Sequence, residues 1–96
     1  MPDHEVKHDT EMTTFSIELD GAEAVLMYLP VGEDVLDFKD TYVPPEHRGR
    51  GVAADLARAA FEYAKEHGYR VIPTCPYIET YLKRHPEYED LVTRRR

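Results

Sequence analysis

At Pro44-Pro45 the rhythm of apolar residues changes from every second position to a period of about 3.6. A chain written this way builds sheet first and helix afterwards. Upstream, Phe15, Ile17 and Leu19 alternate with Ser16 and Glu18, as in a half-buried strand. Asp20-Gly21 is a turn pair, and the near-continuous apolar run from Glu23 to Val31 predicts a strand buried on both faces. Gly32-Glu33-Asp34 gives a second turn and Val35 to Val43 a third strand, while Val6 and its neighbours suggest a short one near the amino terminus. The expected arrangement is an antiparallel meander.

Downstream, Val52, Leu56, Ala60 and Ala64, with Ala53, Ala57 and Phe61, make one apolar stripe of a helix. Asp55, Arg58, Glu62 and Lys65 fall on its opposite, solvent-facing side. Gly68 ends that helix, and Tyr69 to Pro73 forms a short strand that Pro73 bars from continuing as a fully paired one. A second helix, Pro76 to Arg84, stops before Pro86. The fold class is therefore α+β, a meander followed by helix, strand and short helix packed on the sheet. Its 96 residues allow one domain, placed at residues 4–93, with 94–96 a solvated basic tail.

Charge and cysteine content narrow the partners. Twelve Lys and Arg against nineteen Asp and Glu leave a formal charge of −7, which repels a nucleic acid backbone and favours cationic partners. The longest apolar run, Ala24 to Leu29, is too short for a membrane span, and Met1-Pro2-Asp3-His4-Glu5 lacks the pattern of a signal peptide. A single cysteine fits a reducing compartment, so a cytoplasmic protein binding neither membrane nor nucleic acid is expected.

The chemistry is concentrated between Val43 and Ala53. A strand runs into Arg48-Gly49-Arg50-Gly51, which opens directly into the amphipathic helix. Gly51 stands at the N-cap, where Ser, Thr, Asp or Asn would normally satisfy a free N–H. Open N–H groups at the positive end of a helix dipole, with two flanking arginines, form an anion site. No Gly-Lys-Ser/Thr follows, so it is not a P-loop. Gly49-x-Gly51-x-x-Ala54 matches the letters of a dinucleotide fingerprint. Pro44-Pro45-Glu46-His47 nevertheless separate it from the strand, and Pro73-Thr74-Cys75 stand where a ribose-binding acid belongs.

Arg48, Gly51 and Ala53 resemble the R/Q-x-x-G-x-G/A signature of the GNAT acetyltransferase superfamily, set after a meander ending Thr41-Tyr42-Val43-Pro44. Val71 to Tyr77, with His85-Pro86-Glu87-Tyr88 and Asp90-Leu91-Val92, is similar to a subgroup of very short, single-domain members. The resemblance covers residues 4–92 and implies a minimal GNAT-like fold lacking the amino-terminal helices that shape the acceptor site. It implies that Arg48, Gly49, Arg50, Gly51, Val52 and Ala53 hold the pyrophosphate of acetyl-CoA. It further implies that the backbone of Tyr42 and Val43 holds the pantetheine between diverging strands at Val35–Val43 and Arg70–Pro73. The activity implied is N-acetyl transfer from acetyl-CoA, without a metal, to an amine such as an exposed lysine of a basic protein or a polyamine. The alternative is a non-catalytic CoA- or acyl-CoA-binding module with a regulatory role. The glutamate base of many GNAT enzymes has no identifiable counterpart.

Cys75 is the candidate catalytic residue. If Pro76 is the first helical residue, Cys75 is the N-cap, and a helix N-terminus favours the nucleophilic thiolate. The resemblance also puts it beside the thioester carbonyl, which leaves two routes open. An acetyl-cysteine intermediate is one, and direct attack by the amine in a ternary complex is the other. Tyr77 and Tyr81 are candidates for protonating the departing CoA thiolate, and Asp37, Asp40 and His47 are weaker candidates as bases. His4 and His8 have no third ligand placed beside them, so no metal is expected.

Overall fold

The computed structural model describes residues 4–94. Five strands, β1 (Lys7–Asp9), β2 (Thr14–Leu19), β3 (Ala22–Val31), β4 (Val35–Tyr42) and β5 (Arg70–Ile72), form one sheet in that order. The first four are antiparallel neighbours; β5 lies parallel to β4 because α1 (Val52–His67) carries the chain back across the sheet. Helix α2 (Pro76–Arg84) and a 3-10 segment, Pro86–Leu91, follow. Phe15, Ile17, Leu26, Tyr28 and Phe38 from the sheet pack on Leu56, Phe61, Ile78 and Leu82 from the helices in a single core.

Placing both helices on one side corrects the reading of β3. Ala24, Leu26 and Tyr28 are buried, whereas Met27 and Leu29 are 48% and 51% exposed. A run of apolar letters indicates double burial only if something covers the second face, and the described residues supply no helix for it. The outer face of α1 departs from expectation in the opposite direction. Asp55 is buried, accepting from Arg58 Nη2 at 2.7 Å and sharing a 2.6 Å bond with His4 Nδ1. Glu62 accepts from the Tyr88 hydroxyl at 2.6 Å because the Pro86–Leu91 segment folds over that side, stacking Tyr88 on Phe61. Arg94 is likewise no free tail residue: it forks onto Glu79 at 2.8 and 3.2 Å. Arg95 and Arg96, also assigned to that tail, lie outside the described residues, as does the start Met1-Pro2-Asp3.

Two irregularities interrupt the sheet. Tyr28 pairs with Phe38 but Met27 pairs with Asp40, so Lys39 is an extra residue, a bulge in β4. The bulge resets the alternation: Thr41 turns to the helix side opposite Leu26, and Tyr42 turns outward opposite Val25. The second irregularity is a fork. Strands β4 and β5 pair only as far as Asp37 and Ile72, after which Cys75 N–H reaches across to the Phe38 carbonyl at 2.9 Å. Pro73 enforces the parting because it has no N–H to continue the ladder.

Candidate active site

Beyond β4 the chain makes a 3-10 turn, Pro45–His47, and passes through the two glycines into α1. Gly51 caps α1 with φ 79°, a left-handed conformation that suits glycine, and no side chain caps the helix. A Cβ built on Gly49 or Gly51 meets nothing within 4 Å, so there is open space in front of the helix end. The Asp55 N–H closes the first turn on the Gly51 carbonyl at 3.0 Å, which leaves earlier N–H groups directed out of the helix. An anion there meets aligned dipoles and close backbone.

A cleft of about 300 Å³ adjoins this helix end, lined by Thr41, Tyr42, Val43, Arg48, Gly49, Ala53 and Tyr77. Five residues expected at a phosphate and pantetheine site (Tyr42, Val43, Arg48, Gly49 and Ala53) thus share one wall. Arg48 is held back toward the strand, its Nε donating to the Val43 carbonyl at 2.9 Å. Arg50 and Gly51 are exposed beside the cleft rather than lining it. The Val52 side chain is 2% exposed and belongs to the core, leaving only its backbone for a ligand.

Cys75 is the N-cap of α2, as its place before Pro76 predicts, but its sulfur does not cap that helix. The thiol instead donates toward Thr41 Oγ1 at 3.6 Å and is 3% exposed, one residue behind the cleft wall. Thr41 therefore links Cys75 to the cleft, and only the bulge reveals it, since simple alternation along β4 would turn Thr41 away. Tyr77 and Tyr81 part company. Tyr77 lines the cleft, and burial, reinforced by Asp55 and Cys75 against Arg84, raises its phenol above the usual range, so it holds its proton. Tyr81 is a core residue, stacked on Phe61 and His85 and pushed up to about 12 by burial.

The three weaker base candidates lie elsewhere. Asp37 is buried on the other face of the sheet, bonded to the Thr74 hydroxyl, with Lys39 Nζ at 3.9 Å. Asp40 is exposed and bonds its own neighbour's N–H, while His47 sits in the 3-10 turn. No carboxylate lines the cleft among the described residues. Among them, too, no group of three or more His, Cys, Asp or Glu could hold a metal, and no helix is long and apolar enough to cross a membrane.

Residues 14–91 match the family described as GCN5-related N-acetyl-transferase. Protein NATD1 of Mus musculus is 41% identical over 83 residues, 84% of this chain and 76% of that protein. Protein NATD1 of Danio rerio is 40% identical over 87 residues, covering 86% and 79%. The NMR solution structure of a GCN5-like protein from Staphylococcus aureus superposes with a TM-score of 0.74 at 26% identity, covering 100% of this chain and 94% of that one.

Proposed function

Since the chain belongs to the GCN5-related N-acetyl-transferase family and is an N-acetyltransferase, we propose that it takes the acetyl group from acetyl-CoA and delivers it to an exposed amine of a basic protein, peptide or polyamine. One arrangement carries this reading: an uncapped, dipole-positive helix end opens into a cleft, beside a fork between parallel strands whose Cys75 and Thr41 are in contact. The residues present fit such a donor. Gly49, Gly51 and the first N–H groups of α1, with Arg48 and Arg50 beside them, suit a pyrophosphate. The edge of β4 left unpaired beyond Asp37, at Tyr42 and the backbone of Val43 just after it, suits the amides of a pantetheine arm.

In this mechanism Cys75 is the nucleophile. Its sulfur bonds the acetyl carbon, the carbon–sulfur bond to CoA breaks, and the Tyr77 phenol protonates the CoA sulfur. The proton lost by the Cys75 thiol restores Tyr77, so this half-reaction is proton-neutral. A neutral amine then takes the acetyl group and returns Cys75 to its thiol. The contact of Cys75 with Thr41, a residue of the cleft wall, supports this role. A buried free thiol also supports a reducing, cytoplasmic setting.

The test is release of CoA from acetyl-CoA, screened over polyamines, lysine and basic peptides. Amine-dependent release is expected, together with a hydroxylamine-labile acetyl group on the protein when acceptor is omitted. Cys75→Ala should bind CoA normally and lose most transfer. Near-parental turnover in that variant, with sequential kinetics, defeats the covalent route but leaves the transferase reading intact. Release that no amine accelerates defeats the transferase reading itself.

A further inference from the structure

Four large apolar side chains among the described residues are well exposed, and three of them, Met27 at 48%, Leu29 at 51% and Tyr42 at 51%, lie on one surface. That surface is the face of the sheet opposite the helices. Because Ala24, Leu26 and Tyr28 point into the core, Val25, Met27 and Leu29 form a strip along the outside of β3. The bulge in β4 sets Tyr42 opposite Val25, lengthening the strip at that end. There it meets a broad groove of about 780 Å³ formed by Ala22, Glu23, Tyr42, Pro44, Pro45 and Glu46. Tyr42 is a wall of this groove and of the cleft at the helix end, so the two sites share one side chain.

The rim of this surface is acidic. Glu23, Asp40 and Glu46 are exposed, and no basic side chain among the described residues forms an ion pair with them. Of the two lysines on this face, Lys7 is engaged by Glu18 at 2.8 Å and Lys39 lies 3.9 Å from Asp37.

We propose that this helix-free face docks a polypeptide acceptor: an extended basic segment with apolar side chains at alternate positions, one lysine of which is acetylated. The proposal rests on the transferase reading and names its substrate class. Alternate outward residues of β3 recur about every 7 Å, the repeat of an extended peptide. Strand β3 is already paired on both sides by β2 and β4, so the contact is made by side chains and not by strand addition. From β3 the fork lies beyond β4, one strand spacing of roughly 5 Å away, and the flexible stem of a lysine must reach through it, because Cys75 contacts Thr41 on the helix side. A polyamine has no apolar side chains to cover the strip. A second copy of this chain would set one acidic rim against another, at a formal charge of −7 each.

The experiment titrates the full chain, saturated with CoA, with a labelled peptide alternating lysine and leucine, and with a control alternating lysine and serine. Two double variants are compared with the parent: Met27→Ser with Leu29→Ser, and Glu23→Lys with Glu46→Lys. All four positions are exposed, so folding should survive. Each pair should weaken lysine–leucine binding at least about tenfold, while the uncharged pair, Met27→Ser with Leu29→Ser, leaves CoA affinity and turnover with spermidine unchanged. The lysine–serine peptide should bind the parent more weakly than the lysine–leucine peptide. Unchanged peptide affinity in both pairs overturns the proposal, as does equal binding of the two peptides. A parent dimer that Met27→Ser with Leu29→Ser disperses would also overturn it, assigning the face to a second copy. Because binding is read directly, absence of acetyl transfer would refute the transferase reading while the titration still decides the docking face.

Discussion

Gly51 joins sequence, conformation and chemistry in one residue. Its φ of 79° requires the left-handed region, its missing side chain leaves α1 uncapped, and the space before it is open. These properties can be separated by substitution. Asparagine tolerates the left-handed region and is neutral, whereas aspartate adds a carboxylate where an anion would bind. CoA at 100 times its Kd stabilises a binding protein by about 2.7 kcal/mol, on the order of 10 °C in Tm for a domain of this size. The parent should show such a shift in thermal melts, Gly51→Asn a smaller one because its amide oxygen can accept from the free N–H groups, and Gly51→Asp none. A full shift in Gly51→Asp removes the anion from this helix end. Gly51 was legible from the sequence because cap chemistry is local. Thr41 was not, because its direction depends on a bulge created by pairing with β3.

Among the elements, β1 is only three residues long, and besides its pairing with β2 its His8 holds it to the core. The imidazole stacks on Phe15 with centroids 4.0 Å apart and shares a 2.6 Å bond with the Tyr28 hydroxyl, with Tyr63 edge-on at 4.4 Å. Burial lowers its pKa, with a smaller contribution in the same direction from His67, while Asp9 opposes the shift. The folded state thus keeps His8 neutral where the unfolded chain takes up a proton. Its contribution is complete above the ordinary histidine value of about 6.5 and is lost as pH falls through the lower folded value. The parent Tm should therefore decline between about pH 7 and pH 5, and His8→Phe, which keeps the stack but cannot titrate, should flatten part of that decline. Parallel profiles would show that His8 does not hold the strand in this way. The sequence marked His8 only as an incidental histidine, since Tyr28 and Tyr63 stand 20 and 55 positions away.

For the molecule as a whole, the formal charge of −7 is a property of the surface and not of the fold. Basic peptides should be better acceptors than neutral amines at about 50 mM salt, with the preference fading by about 500 mM as the screening length falls from roughly 14 to 4 Å. A ratio of kcat/KM that ignores salt would mean that shape alone selects the acceptor. Fold class and element order followed from the chain itself, because periodicity, turn glycines and proline breaks at Asp20-Gly21, Pro44-Pro45 and Pro73 act over a few residues. So did the uncapped, arginine-flanked helix end between Arg48 and Ala53, since cap chemistry is local wherever the helix lies. Tertiary structure alone decided which faces are covered. It exposed Met27 and Leu29 by stacking both helices on one side, buried Asp55, and bonded Glu62 under the Pro86–Leu91 segment. It also turned the Cys75 sulfur to Thr41 and not to the α2 N-terminus. Burial and side-chain partnership depend on what the rest of the chain brings alongside, and no local pattern encodes that neighbour.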